Sequence, residues 1–186
     1  NSSQPWLTLI GRLVSTIQHW SRRNSLRGSR RNISAHYDLS NDFFATFLDQ
    51  TMTYSSGLFL KPEETLAQAQ ENKLDAMIRD ARLKSTDHVL EIGCGWGGLA
   101  VRAAQTVGCR VTGLTLSKEQ LSFAQQKARD LGLEDRIDFQ LLDYRKVEGQ
   151  FDKILSVEMI EAVGEENIPT FVETCEKLLK PGGIAC

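Results

Sequence analysis

From about residue 85 onwards, short apolar runs alternate with stretches whose apolar residues recur every three or four positions. The short runs predict β-strands and the longer stretches predict helices. Such alternation is typical of a parallel sheet with helices on both faces. Strands are predicted at residues 88–92, 110–116, 137–143 and 151–158, with a fifth beginning at Pro181-Gly182-Gly183. Helices are predicted at residues 99–104, 120–131 and 168–180. We therefore expect an α/β core over residues 85–186 that is incomplete in its fifth strand.

The first 32 residues form a separate predicted region. Apolar residues at helical spacing between Trp6 and Trp20 predict an amphipathic helix. A basic segment without acidic residues follows it, containing Arg22, Arg23, Arg27, Arg30 and Arg31. An apolar face beside such a segment suits an anionic membrane surface. Packing on another domain, with a solvated basic linker, is an equally good interpretation.

Residues 33–84 predict a helical cap. Ser40 or Asn41 can cap a short helix that carries Phe43 and Phe44, and a loop follows at residues 52–57. A long helix is predicted from Pro62 to residue 82, because proline favours the first helical turn. This aromatic-rich segment can cover a ligand site as a lid, or its aromatic residues can simply belong to the core.

The apolar run at residues 88–92 leads directly into a glycine-rich turn and a helix, which is the arrangement of a nucleotide-type binding corner. Two templates fit. The dinucleotide pattern is met by Gly93, Gly95 and Gly98, and the acidic-x-Gly-x-Gly-x-Gly pattern of S-adenosylmethionine (SAM) methyltransferases is met by Glu91, Gly93, Gly95 and Gly97. The next strand ends in Leu114-Thr115-Leu116 without the acid that a dinucleotide site uses for ribose. An ordinary tight turn in an α/β domain is the remaining alternative.

The carboxyl ends of the strands give a candidate adenosine site, since ligands of such sheets bind at that edge. Asp143 can accept a hydrogen bond from an adenine amino group, and Tyr144 can pack against the ring. Gln120 can bind the ribose hydroxyls in place of the missing acid. Alternatively, Gln120 only caps its own helix, because residues 117–120 form a capping-box sequence.

The methionine end of SAM is expected near the backbone of Gly93 and Gly95, with Glu91 orienting the glycine loop. Glu161 is the catalytic candidate, because it follows the fourth predicted strand on the side where the methyl group would emerge. Glu158 lies three residues earlier and can share a helical face with it. The alternative is that both are solvated surface acids.

Composition and charge argue against a nucleic-acid-binding protein and against a membrane-spanning one. The net charge is −2 and no apolar run approaches the ~20 residues that span a bilayer, so nucleic acid is not an expected partner and no membrane-spanning helix is predicted. The four cysteines have no metal-ligand spacing, so we expect no metal site and buried free thiols in a reducing cytoplasm. The chain has no initiator methionine and ends where a strand begins, and it is expected to be part of a longer protein that acts in the cytoplasm.

Several motifs together resemble the cyclopropane-fatty-acid synthase family, which includes the mycolic acid cyclopropane synthases. They occur at residues 36–44, 52–56, 91–98 and 113–117, at Gln120, and at residues 143–145. The resemblance implies a class I SAM-methyltransferase fold. It also implies transfer of a methylene group from SAM to a cis double bond of a phospholipid acyl chain, through a carbocation, at the inner face of the membrane. A homodimer is compatible with this assignment.

The resemblance also implies residue roles. The cofactor would be held by Tyr54, Ser55, Gly93, Thr115, Leu116 and Gln120. Glu161 matches an acid that holds a bicarbonate ion, and the Val157 backbone matches a second group on that ion. Ser56 stands where family members commonly have Cys, and its hydroxyl can still bind an anion. The bound carbonate would take the proton that leaves as the ring closes.

Two departures leave the reaction open. Ser56 replaces the common Cys, and Ala162 stands where family members commonly have His. Methylation that gives a branched acyl chain is therefore an alternative to ring closure. A small-molecule N-methyltransferase on the same scaffold and a non-catalytic SAM-binding protein are the other two hypotheses.

Overall fold

A computed structural model describes residues 41–186. The predicted amphipathic helix, the arginine segment and the first half of the motif at residues 36–44 lie outside these residues. The proposed boundary at residue 32 therefore stays a prediction, as does the division between a cap and a core at residue 84.

In residues 41–186, five parallel strands form a sheet in the order β3-β2-β1-β4-β5. The strands are β1 (His88–Ile92), β2 (Arg110–Thr115), β3 (Ile137–Leu141), β4 (Phe151–Leu155) and β5 (Leu179–Ala185). The order reverses between β1 and β4, so the switch point lies at the carboxyl end of β1. The predicted α/β fold with a parallel sheet is confirmed.

Within the described residues, the strands are accompanied by six α-helices: α1 (Asn41–Ala45), α2 (Leu66–Asp80), α3 (Gly98–Thr106), α4 (Lys118–Asp130), α5 (Ile160–Val163) and α6 (Ile168–Leu178). Two 3₁₀ turns lie at Tyr144–Lys146 and Glu165–Asn167. Apolar residues pack against both faces of the sheet. Val89 and Val111 belong to one buried cluster with α3 and α4, whereas Leu90 and Ile92 belong to another with α6.

The prediction that α2 begins at Pro62 was wrong. Thr65 is the N-cap and forms a capping box with Gln68, in which the Gln68 N–H donates to Thr65 Oγ1 (3.3 Å) and the Thr65 N–H donates to Gln68 Oε1 (2.8 Å). This reciprocal pair satisfies the first free N–H groups of the helix and fixes its start. Pro62 and the two glutamates after it precede the helix.

The predicted ends of three strands also need correction. β3 ends at Leu141, because the Asp143 side chain accepts a hydrogen bond from the Arg145 N–H and opens a 3₁₀ turn. β4 ends at Leu155, three residues before Glu158, whose positive φ of 49° cannot continue a strand. β5 begins at Leu179 rather than near Pro181, and α6 accordingly ends at Leu178.

The segment before α2 is attached to the glycine turn. The Trp96 indole N–H donates to Asn41 Oδ1 at 2.7 Å, and the Phe44 and Trp96 ring centroids are 4.9 Å apart. Met52 is buried in the same cluster. The aromatic residues of the predicted cap therefore contribute to a core and also stand next to the candidate site.

Within residues 41–186, no helix combines the length and apolar character needed to cross a bilayer. All four cysteines are free thiols. Cys94, Cys109 and Cys175 are buried as predicted, whereas Cys186 is exposed, which corrects the expectation for that residue.

Candidate cofactor and active site

One cavity opens at the carboxyl ends of β1, β2, β3 and β4, where the switch point of the sheet lies. All ten residues predicted to bind the cofactor line it: Tyr54, Ser55, Glu91, Gly93, Gly95, Thr115, Leu116, Gln120, Asp143 and Tyr144. Val157 lines it as well. These side chains come from widely separated parts of the sequence, and the parallel sheet brings them to one edge.

The glycine turn needs glycine for backbone reasons. Gly93 and Gly97 have φ values of +82° and +83°, which L-residues with side chains rarely adopt. A Cβ on Gly97 would lie 2.6 Å from the Phe139 ring, and one on Gly93 would lie 3.3 Å from Met159 Sδ. The turn leads into α3, whose first N–H groups have no partner inside the helix. A polar ligand can therefore approach this backbone closely.

Glu91 is buried at the end of β1, with 5 % of its surface exposed. Burial raises its pKa to about 8, although a hydrogen bond from the Ala100 backbone N–H opposes this. Among the described residues, Glu91 Oε2 has no hydrogen-bond partner. A buried carboxyl oxygen without a partner is costly, and in the wall of a cavity it offers an acceptor to a ligand.

Gln120 does more than cap its helix. The Thr115 hydroxyl donates to Gln120 Oε1 at 2.8 Å, and the Ser117 N–H donates to Thr115 Oγ1 at 3.1 Å. Ser117 caps α4 by accepting from the Gln120 N–H. The Gln120 side chain thus turns towards β2 instead of returning to the Ser117 backbone, and the predicted capping box is only half formed. This orientation holds the Gln120 amide in the cavity wall.

Asp143 forms a tight ion pair with its neighbour Arg145. Asp143 Oδ2 accepts from Arg145 Nη2 at 2.6 Å, and Oδ1 accepts from Arg145 Nε at 2.8 Å. Burial disfavours the charged carboxylate, but the hydrogen bonds and charge of Arg145 outweigh burial and lower the pKa of Asp143. Asp143 is therefore ionised at neutral pH and held rigidly beside Tyr144, whose ring packs on Phe171.

Glu158 places a carboxylate at the mouth of the cavity. Its Oε1 accepts from the Ser56 hydroxyl at 2.7 Å and from the Ser56 backbone N–H at 2.9 Å. These two hydrogen bonds lower the pKa of Glu158, and the charge of Lys73 lowers it further. Ser56 does not itself line the cavity, so it acts on the site through Glu158.

Lys73 contributes a cation from α2 to the cavity wall. Its ammonium donates a short hydrogen bond to Ser55 Oγ. Desolvation lowers the pKa of Lys73, and the charges of Glu158 and Asp49 partly offset this. The sequence pattern gives no signal for this residue, because nothing in the local pattern of α2 distinguishes it from a solvated helical lysine.

Glu161, the predicted catalytic acid, lies on α5 and is exposed. It does not line the cavity, whereas Glu158 and Ala162 do. The two glutamates do not share a helical face, since Glu158 precedes the helix and has a positive φ. The structure thus brings Val157 to the cavity, and it brings Ser56 there through Glu158. Glu161 lies beside an adjoining depression, which Glu158, Phe171 and Cys175 also line.

Comparison with known proteins agrees with this geometry. The sequence model of the family described as mycolic acid cyclopropane synthetase matches residues 24–186. A probable fatty acid methyltransferase of Pseudomonas putida is 44 % identical over 165 residues, which cover 88 % of this chain and 42 % of the relative. The cyclopropane-fatty-acyl-phospholipid synthase of Escherichia coli strain K12 is 42 % identical over 149 residues, covering 80 % of this chain and 38 % of the relative.

Among solved structures, mycolic acid cyclopropane synthase CmaA1 complexed with SAH and CTAB superimposes with a TM-score of 0.78 at 35 % identity, covering 81 % of this chain and 53 % of that one. The chain spans less than half the length of the two curated relatives named above. With a family match over most of its residues, the chain belongs to the mycolic acid cyclopropane synthetase family.

Proposed function

We propose that the protein transfers a one-carbon unit from SAM to the cis double bond of an unsaturated phospholipid acyl chain, and that the product is a cyclopropane ring. The observation that carries this proposal is the cavity at the switch point, which combines a glycine turn with an ionisable carboxylate at its mouth. Family membership supports it, since the relatives include both a cyclopropane synthase and a fatty acid methyltransferase.

The cavity residues fit SAM. Glu91 Oε2 lacks a partner and can accept from the ammonium of the methionine end. Gln120 and Thr115 would offer polar atoms to the ribose, and Asp143 and Tyr144 would offer an acceptor and a ring contact to the adenine. Bound SAM would supply an electrophilic methyl group. The cavity residues would bind and orient the cofactor and the substrate, and one of them would accept a proton.

Ring closure requires a base beside the reacting carbons, and the Glu158 carboxylate at the mouth of the cavity is our candidate for it. As the alkene bonds to the methyl carbon, positive charge develops on the other alkene carbon. The Glu158 carboxylate would accept the proton that leaves the methyl carbon, and the electrons of that C–H bond would form the second ring bond. Because Ser56 lowers the pKa of Glu158, this base is ionised at neutral pH.

The resemblance assigned this role to Glu161 and a bicarbonate ion. Both donors of Ser56, its N–H and its hydroxyl, already bind the Glu158 carboxylate, so in this arrangement they are not available to a separate anion. We therefore propose Glu158 as the base. Glu161 with a bicarbonate ion is the alternative that the experiment with the two variants tests.

The test uses the intact protein that contains this chain, incubated with SAM and vesicles of unsaturated phospholipid. Mass spectrometry of the acyl esters should show a gain of one CH₂, and ozone should not cleave the product, because a ring leaves no double bond. A product that ozone cleaves has kept a double bond and carries a methyl or methylene branch, which would refute ring closure. SAM binding without any modified lipid would refute the acyl substrate and direct the search to amines.

A matched pair of variants separates the two candidate bases. Glu158→Gln and Glu161→Gln make the same isosteric change three residues apart. We expect E158Q to lower the rate of product formation by about 10²–10⁴-fold and E161Q to leave it near that of the wild type. If E161Q lowers the rate, E158Q leaves it unchanged, and added bicarbonate restores activity, the role of Glu158 is contradicted.

A further inference from the structure

We infer that Lys73 binds the carboxylate of the amino-acid end of SAM, while Glu91 binds the ammonium of the same end. This inference rests on the proposed use of SAM. It adds a binding residue that the glycine turn does not predict, from a helix that precedes the sheet in sequence.

The first support is the electrostatic position of Lys73. Its ammonium lines the cavity and is half-buried, yet within residues 41–186 no carboxylate lies within 4.0 Å of it. Its hydrogen bond within this part of the chain goes to the neutral Ser55 hydroxyl, which uses one of three N–H donors. A partly desolvated cation of this kind is stabilised by an anionic ligand.

The second support is that the surrounding contacts hold Lys73 in place. Gln70 Nε2 donates to the Ser55 carbonyl at 2.7 Å and to the Thr53 carbonyl at 3.3 Å, which ties the loop to α2. Two residues after Lys73, Asp75 accepts two hydrogen bonds of 2.8 Å from Arg102 of α3. The helix that carries Lys73 is thus fixed to the loop and to α3, and its ammonium is presented to the cavity from a rigid element.

The third support is the complementary group across the cavity. Glu91 on β1 offers an unpartnered oxygen, and Lys73 on α2 offers a cation. The amino-acid end of SAM carries one ammonium and one carboxylate, so the two groups match it in both sign and number. The nearby negative charges that act on Lys73 are Glu158 and Asp49, and neither forms an ion pair with it.

An alternative is that Lys73 serves only as a counter-charge for Glu158. The two roles predict different measurements. A counter-charge would alter the pH dependence of catalysis without altering the affinity for SAM, whereas a carboxylate ligand would alter that affinity and would do so only for ligands that have the carboxylate.

The experiment is a ligand-by-variant cycle on the intact protein without lipid. Isothermal titration calorimetry measures the affinity for SAM and for decarboxylated SAM, which keeps the sulfonium and the ammonium and lacks the carboxylate. Lys73→Met removes the cation, and Lys127→Met is the matched control. Lys127 is also partly buried and also feels Asp49, but it does not line the cavity. Thermal unfolding checks that both variants are folded.

We expect K73M to weaken SAM binding by about 10–100-fold, the range for a charge-assisted hydrogen bond, and to leave the affinity for decarboxylated SAM within about twofold. K127M should change neither affinity. Equal losses for both ligands, or no loss for SAM, would overturn the assignment. A protein that binds SAM with this pattern but modifies no lipid would refute the proposed function and leave the role of Lys73 intact.

Discussion

Replacing Glu91 with Gln should make the fold less sensitive to rising pH. Glu91 is buried and its pKa is raised from 4.5 to about 8, chiefly because burial disfavours the carboxylate. In the unfolded chain the same group ionises near 4.5. Glutamine has the shape of the protonated acid and cannot ionise, so E91Q removes this one titration while leaving the packing around β1 nearly unchanged.

The sign follows from proton linkage. Between pH 4.5 and 8 the folded state keeps the proton and the unfolded state has lost it, so raising the pH favours unfolding. The contribution of Glu91 to stability is complete below pH 4.5 and is lost as the pH rises to 8. With ~1.36 kcal/mol per pH unit, the loss is about 3 kcal/mol at pH 7 and about 4 kcal/mol at pH 8, and it approaches ~5 kcal/mol at higher pH. These amounts are large against a total stability of about 5–15 kcal/mol.

The assay is urea unfolding of the ligand-free protein at a series of pH values between 4.5 and 8.5. E91Q should equal the wild type near pH 4.5 and exceed it by about 3 kcal/mol at pH 7. Glu119→Gln provides the control, because it makes the same change at an exposed position in the first turn of α4. A constant difference between E91Q and the wild type at all pH values would refute a buried protonated carboxyl. Saturation with SAM should reduce the gap, since an ammonium beside Glu91 favours the carboxylate.

Two further changes test the local geometry. Gly97→Ala places a Cβ 2.6 Å from the Phe139 ring at a φ of +83°, so it should lower the free energy of unfolding by about 1–3 kcal/mol and weaken SAM binding. An unchanged midpoint of urea unfolding would contradict the need for glycine there. Arg145→Met removes the guanidinium that pairs with the buried Asp143 carboxylate, so it should destabilise the fold by about 3 kcal/mol at pH 7 and by less in acid, where the carboxyl group of the variant takes up a proton. A loss that does not depend on pH would show that the packing of the Arg145 side chain, and not its charge, is what matters.

The sequence predicted which residues meet at one cavity better than it predicted the contacts between them. Gly93, Thr115 and Asp143 could be placed together because they lie at or just after strand ends, and all parallel strands finish at one edge of the sheet. The hydrogen bond between Ser56 and Glu158 could not be predicted, since the two residues are 102 positions apart and meet only through the tertiary fold. The role of Gln120 depended on a competition between its helix and Thr115, which local sequence does not decide.

The predicted start of α2 was wrong for a similar reason. The proline at position 62 is a good first helical residue in isolation, but the reciprocal Thr65–Gln68 pair competes for the same role and is stronger, because it satisfies two N–H groups. Lys73 was overlooked because a lysine in a helix is usually solvated, and only the packing of α2 against the loop at Ser55 turns it towards the cavity.

Two carboxyl groups in one cavity are driven to opposite charge states, and this difference assigns their roles. Burial raises the pKa of Glu91 to about 8, so at neutral pH most of it is protonated and it can donate or yield its proton to a ligand. The two hydrogen bonds from Ser56 lower the pKa of Glu158, so it is ionised and can accept a proton. Groups whose environments separate their pKa values in this way divide acid and base functions between them. Of these two groups only Glu158 is mostly charged at neutral pH when the cavity has no ligand, so it is the member of the pair that can stabilise positive charge on a bound substrate. An ammonium placed beside Glu91, as in the proposed binding of the cofactor, would shift Glu91 towards its anion at that pH.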